Sequence, residues 1–565
     1  MGRPNHFLGR ALFLAALAPF VAAAPAGQFS APSPTVTVQL LAINDLHGNL
    51  EPPSGSTGRV QGMAAGGVEY LATHLERAAA ENPNTIVVSA GDLIGASPLL
   101  SALFHDEPTV AAANAMHLAI SSVGNHEFDK GWRELVRMQT GGCHPIDGCR
   151  GAASFTGAEY AYLSANVVRR HEDGVSAPLF PPTAVRTIGG VKIGFIGETL
   201  KDTSQMVSAA GVRDLTFLDE ASTANRYAAE LKRAGVNAIV LLLHQGGSQT
   251  PTDGGDPNGC ADFHGRIVPI LDRLSRDIKV VVSGHSHEAY VCTIQGRTVT
   301  SAASFGRVVT RLNLTIDRAT DTIRQAAARN EIVTRDVPKD EAESRIIAEY
   351  QPFSKPLEER VVGSIRGDLT RSPNEAGESS LGDIIADAQL EAASSPQTGS
   401  AVVAFMNPGG IRVDLSVDAN AGATRAPGEV TYGNLFAVQP FGNILTVVTL
   451  TGDAIRRVLE QQFHANGATI LQVSKGFTYS YRLKAEPGRH VDPASMQING
   501  ARISPSARVR VAASDFLIDG GDGFTVLSEG TNRQAAGLDI DAFVAYVRAH
   551  SPVEPGPQDR IGLIR

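Results

Sequence analysis

Val36-Thr-Val-Gln-Leu-Leu-Ala-Ile43 runs straight into Asn44-Asp45-Leu46-His47-Gly48, and the reading of this junction decides the fold. The first part is aliphatic and β-branched with little polar alternation, the composition of a strand covered on both faces. The second part is a turn that carries a carboxylate and an imidazole. The same succession recurs along the chain. Thr85–Ala90 precedes Gly91-Asp92, Ile120–Val123 precedes Gly124-Asn125-His126-Glu127, Ala238–Leu243 precedes His244, and Ile278–Val282 precedes Gly284-His285-Ser286-His287. A sixth run, Val191–Ile196, has no such group behind it, and helix-favouring stretches at Val68–Ala80 and Ala221–Ala234 fall between some of the runs. This rhythm predicts an α/β fold of layered β-sheets flanked by helices. In open α/β folds ligands bind at the carboxyl ends of strands, so the recurring polar ends point to a single site.

The groups gathered there are His nitrogens, Asp carboxylates and one Asn carbonyl. That mixture suits zinc, manganese, iron or cobalt better than calcium or magnesium. Seven or eight such groups exceed what one ion takes, whereas two ions ~3.5–4 Å apart, bridged by a carboxylate, use them all and clamp a transferring phosphoryl group. Each motif alone is common: a D-x-H turn is ordinarily a solvated loop, and His244 after a run of leucines is ordinarily a satisfied core histidine. Their joint placement at strand ends is what excludes coincidence.

At 565 residues with 43% hydrophobic and 19% charged side chains, the chain is an ordinary globular one, too long for a single core. Composition places a boundary in the charged, helix-favouring segment 336–360, where Pro352 and Pro356 are expected to interrupt the helix. The expected domains are therefore 27–335 and 361–565, the second a mixed α/β region with strands near Ala401–Phe405, Leu445–Leu450 and Arg508–Ala512. A net charge of −9 argues against nucleic-acid polymers and anionic membranes as partners, which need a basic footprint. Arg3 and Arg10 precede the apolar Ala11–Ala24, which reads as a signal peptide over residues 1–26, with no membrane anchor thereafter and delivery to the periplasm or the medium. Four cysteines in an exported chain predict two disulfides. Three pairings are open, and closeness in sequence favours Cys143–Cys149 and Cys260–Cys292.

The second region has motifs of its own. In Met406-Asn407-Pro408-Gly409-Gly410-Ile411-Arg412 the glycines permit close backbone approach to a ligand and Arg412 can grip a phosphate or carboxylate. Gln439-Pro-Phe441-Gly-Asn443 and Asp515-Phe516-Leu-Ile-Asp-Gly-Gly-Asp522-Gly-Phe524 each set a phenylalanine beside loop glycines.

The order D-x-H, G-D, G-N-H-E, H, G-H-x-H resembles the calcineurin-like metallophosphoesterases. With the second set of motifs, the chain resembles the bacterial 5'-nucleotidase and UDP-sugar hydrolase family over about residues 36–560. The resemblance implies that Asp45, His47, Asp92 and His287 hold one divalent ion, that Asp92, Asn125, His244 and His285 hold the other, and that Asp92 bridges. Zinc, manganese or cobalt would fill both positions. It further implies that His126, oriented by Asp129, is a catalytic group rather than a ligand. Phe441 and Phe516 would sandwich a base, with Asn407, Gly409, Gly410, Arg412 and Asp522 around the nucleoside and Arg371 toward the phosphate. Glu375 stands where relatives carry a further arginine, and Pro408 where some carry glycine. The activity so implied is removal of the 5'-phosphate from small-molecule nucleotides, with UDP-sugar hydrolysis beside it. The alternative is a 2',3'-cyclic-nucleotide 2'-phosphodiesterase with 3'-nucleotidase activity.

Overall fold

Along the Thr35–Ile43 strand, side chains alternate between two cores. Val36, Val38, Leu40 and Ala42 face one way and pack with Phe195, Val240 and Val282, while Leu41 and Ile43 face the other and meet Leu71 and Leu75 of the Val68–Ala80 helix. The strand thus lies inside one sheet with a second sheet on one side and helices on the other. The structure, a computed structural model, describes residues 1–2, 33–53, 55–150, 155–170, 176–250, 255–418, 426–464 and 467–565. The expected signal peptide lies outside the described residues, apart from residues 1–2.

The first sheet has the order Thr322–Ile332, Val308–Asp317, Thr35–Ile43, Thr85–Ser89, Leu118–Ser122, Ala161–Leu163, and its last four strands run parallel. The second has the order Ala289–Ile294, Arg297–Ala302, Ile278–Ser283, Ala238–Leu243, Val191–Glu198, Thr183–Ile188, with its middle four parallel. Helix Glu220–Arg233 covers the outer face of this second sheet through Ala224, Ala228 and Leu231. The result is a four-layered arrangement of helices, sheet, sheet, helices. Gln39 is the polar exception within its strand, fully buried yet satisfied by Ala78 O at 2.7 Å, Thr85 Oγ1 at 3.0 Å and Arg311 Nε at 2.7 Å.

The second region is built on a five-stranded sheet of order Gln472–Val473, Val403–Met406, Arg508–Ser514, Ile444–Thr451, Thr531–Leu538. Helices Ser380–Ala393 and Asp539–Ala549 accompany it, and Val403, Phe405, Val448 and Val511 build a separate core. Residues Thr35–Arg565 cluster as one compact unit. Between the regions a single helix, Glu341–Glu358, is capped by Asp340, whose carboxylate accepts from Ala342 N and Glu343 N at 2.9 Å each. The expected interruption by proline does not occur. Pro352 and Pro356 are four residues apart and lie on the exposed face, where the carbonyls they leave without an intrahelical donor can reach water. The helix buries Ile347 and Tyr350 in the first region and packs its end on helix Tyr432–Val438 of the second.

Both expected disulfides, Cys143–Cys149 and Cys260–Cys292, are formed. Trp132 is buried beneath the guanidinium groups of Arg133 and Arg169. Among the described residues no helix is long and apolar enough to cross a membrane.

Candidate functional site

The parallel strands of both sheets deliver their polar ends to one place. Asp45 and His47 follow Thr35–Ile43, Asp92 follows Thr85–Ser89, Asn125 and His126 follow Leu118–Ser122, His244 follows Ala238–Leu243, and His285 and His287 follow Ile278–Ser283. Two clusters of donors form there, linked by a third group of His47, Asp92 and His126. Asp45, His47 and His287 make one, Asp92, His244 and His285 the other, with donor atoms in each lying within 4.8 Å of one another. Asn125 Oδ1 belongs with the second, 3.2 Å from His244 Nε2 and 3.1 Å from His285 Nδ1.

Asp92 stands between the clusters. Its Oδ2 lies 2.9 Å from His244 Nε2 and 3.7 Å from His47 Nε2, while its Oδ1 accepts the backbone amide of His126 at 2.8 Å. Gly124 makes this approach possible, because a Cβ there would collide with Asp92 Oδ1. The backbone is strained to the same end. Asp45, His47, Asp92, His285 and His287 all have positive φ, between 47° and 70°, a region that side-chain-bearing residues rarely occupy outside constrained sites. Asp45 N to Gly91 O and His47 N to Asp92 O, both 3.0 Å, hold two of these turns in place.

The donors suit divalent cations. His47 Nδ1 can only donate to Gly95 O, 2.9 Å away, so a neutral His47 presents a lone pair at Nε2, and that atom faces His287 Nε2 at 3.0 Å. His244 Nδ1 likewise donates to Ala90 O at 2.7 Å and turns Nε2 toward Asp92 and Asn125. Acceptors facing one another this closely repel unless a proton or a cation lies between them. Burial holds His47 and His287 well below the usual imidazole range and His285 down at about 3, which leaves their nitrogens available as ligands. Burial also opposes charge on His244, but the Asp92 carboxylate outweighs it and raises this group to about 10. Burial pushes Asp45 up to about 7.

His126 is set apart from Asn125, as the turn geometry predicts. Its Nδ1 donates to Asp129 Oδ2 at 2.9 Å, and although burial opposes protonation, Asp129 and Asp92 raise its pKa above the ordinary value. Asp129 caps no helix. The next one, Trp132–Thr140, starts after Gly131 without a side-chain cap.

A cavity of about 780 Å³ opens beside the clusters and spans both regions. Asn125, His126, Asp129 and His285 line it from the first region, and Asn407, Gly409, Gly410, Arg412, Phe441, Phe516 and Asp522 from the second. The Phe441 ring lies nearly parallel to His126, with centroids 5.7 Å apart, and Lys130 Nζ donates to Phe441 O at 3.3 Å. Arg412 sits over the same Phe441 ring at 5.8 Å, and Asn407 Nδ2 donates to Asp522 Oδ2 at 2.6 Å. Phe516 rests on Gly521, where a Cβ would come within 2.5 Å of the ring. Arg371 is not among the residues lining the cavity. It pairs with Asp414 at 3.3 Å, and Glu375, at the position of the replaced arginine, pairs with Arg565 at 2.8 Å.

The calcineurin-like phosphoesterase family profile matches residues 38–289, and the 5'-nucleotidase C-terminal domain profile matches residues 361–529. The chain is 32% identical to the cell wall protein Lmo0130 of Listeria monocytogenes, over 91% of this chain and 67% of that one. The chain belongs to the 5'-nucleotidase family. This family consists of metal-dependent phosphoester hydrolases, and its members share the fold described above: the 5'-nucleotidase precursor from Thermus thermophilus superposes with a TM-score of 0.76 at 26% identity, covering 94% of this chain and 100% of that one. The chain is also 30% identical to the endonuclease YhcR of Bacillus subtilis over 94% of its own length, and it spans 41% of YhcR's length.

Glu127 is the functional position that sequence reading passed over. Its carboxylate accepts the amides of Asp92 at 2.9 Å, Leu93 at 2.8 Å and Gly124 at 2.6 Å, tying two ligand-bearing loops together, and burial, with Asp92 beside it, raises it to about 8. Its place in Gly124-Asn125-His126-Glu127 was visible, but a side chain that binds only backbone amides leaves no mark in sequence.

Proposed function

We propose that this protein is an exported two-metal 5'-nucleotidase. The observation that carries the reading is the shared cavity: Asn125 and His285 of the second donor cluster, with His126 beside them, open into the same space as Phe441 and Phe516, and Asp92 joins that cluster to the first. In this reading Asp45, His47, Asp92 and His287 hold one ion and Asp92, Asn125, His244 and His285 the other, as Zn, Mn or Co. Two such ions supply Lewis acidity to the phosphoryl oxygens and lower the pKa of the attacking water.

The chain's own groups do the rest. His126, kept cationic by Asp129, faces the developing charge on the transferring group. Arg412 adds a second cation at the cavity wall, and the two phenylalanines position the base. Residues 27–335 act as the catalytic domain, 361–565 as the reader of the nucleoside, and 336–360 as the connection. Two formed disulfides and the basic-then-apolar terminus support export to the periplasm or the medium after removal of residues 1–26.

The deciding experiment assays AMP, UDP-glucose, 2',3'-cyclic AMP and single-stranded DNA side by side with metal-replete protein. AMP as the best substrate supports the reading. Preference for 2',3'-cyclic AMP would install the cyclic phosphodiesterase in its place. The net charge of −9 predicts that DNA is the poorest of the four.

A further inference from the structure

We propose that His105, Glu134, His144 and Asp147 form a third divalent-cation site, of transition-metal type with zinc foremost, at the rim of the cavity. None of these residues belongs to the two clusters at the strand ends. Donor atoms of His105, Glu134 and His144 lie within 4.8 Å of one another. Asp147 Oδ2 adds a fourth donor, 2.8 Å from His105 Nε2 and 3.7 Å from His144 Nδ1. Tetrahedral zinc with bonds of about 2.0–2.1 Å sets its donors roughly 3.3 Å apart, between those two distances.

The surroundings are built rather than incidental. His144 and Asp147 sit on a hairpin closed by the Cys143–Cys149 disulfide and by a hydrogen bond from Gly148 N to His144 O at 2.9 Å, so their spacing is set before any ligand arrives. Although the hairpin is a surface loop, the four side chains keep only 14% to 29% of their surface exposed. His105 is held at a φ of 56°, in the left-handed region. Its ring stacks on His144 at 3.7 Å with planes 10° apart. Joint coordination requires one imidazole to turn about its Cβ–Cγ bond, and a turn of His144 exchanges the hydrogen bond that its Nδ1 accepts from Asp147 N at 3.2 Å for the metal bond.

Charge also favours a cation here. Three carboxylates, Glu107, Glu134 and Asp147, face two guanidiniums, Arg137 and Arg150. Carboxylates thus outnumber guanidiniums by one among these groups. His105 and Glu134 line the cavity, and Glu134 lies in the helix that follows Asp129. An ion at this point would tie the turn at His105, that helix and the hairpin into one rigid rim.

Zinc content is the test. The holoenzyme, dialysed to equilibrium against buffered zinc, is compared by elemental analysis with His105→Ala/Asp147→Asn and with His144→Ala, and cobalt substitution gives the d–d spectrum of each. The expected result is one equivalent fewer in both variants, together with loss of one cobalt component. The same metal count in wild type and both variants would overturn the proposal and leave a plain His–Asp ion pair. A variant that fails to fold is recognised by its circular dichroism and is replaced by His144→Gln, to which the same two outcomes apply.

Discussion

The donor clusters at the strand ends and the cavity wall that carries Phe441 and Phe516 are built on opposite plans. Asp45, His47, Asp92 and His244 are at most 1% exposed and come from the ends of parallel strands, and the first three are held at positive φ, in conformations that cost energy. Phe441 and Phe516 are half-buried, Phe441 in a turn before Gly442 and Phe516 in the short helix Asp515–Ile518, over Gly521. Chemistry that tolerates errors of only a few tenths of an ångström is mounted on buried strand ends, whereas recognition, which works through stacking, is left to half-buried rings at the cavity wall.

The comparison breaks most sharply at Asp92. Asp92→Ala removes the carboxylate shared by both clusters, and hydrolysis should fall to the detection limit with loss of bound metal; a variant keeping both activity and two ions would end the bridging assignment. Next comes His126→Ala, for which a drop in kcat of about 10²–10⁴ is expected with metal content unchanged. Loss of a metal equivalent there would move His126 into the ligand set. On the recognition side, base–aromatic stacks worth about 1–3 kcal/mol each predict that Phe441→Ala/Phe516→Ala lowers kcat/KM for AMP by tens to thousands of fold, while p-nitrophenyl phosphate, which has no base, changes by no more than a few fold. An equal fall for both substrates would show that the second region does not read the nucleoside. The smallest effect is expected from Lys130→Ala. Its single 3.3 Å hydrogen bond to Phe441 O is worth about 1 kcal/mol, roughly fivefold in KM for AMP and nothing for the aryl phosphate.

What the sequence made legible follows the same division. Helix Val68–Ala80 and strand Ala238–Leu243 have the expected bounds, and the donors at the strand ends converge, because continuous apolar runs and polar terminators are local signals. Phe441 and Phe516, each near loop glycines, are indistinguishable from core residues until a family resemblance weights them. The passage of a helix through Pro352 and Pro356 was hidden for a different reason. Propensity counts the lost hydrogen bonds but not the packing of Ile347 and Tyr350 that keeps the segment helical. The pairing of Arg371 with Asp414 depends on residues 43 apart, a distance over which sequence carries no geometry.

Glu127 bears on how such a protein can diversify. One side chain grips the amides of Asp92 and Leu93 on one loop and of Gly124 on the next, so neither loop can change length by a residue without dragging the other out of register. Insertions are thereby barred from this corner and diverted to segments that Glu127 does not touch, such as the Cys143–Cys149 hairpin and the loops around Phe441 and Phe516. A lineage descended from this chain could change its diet many times over while its metal corner stayed the same length.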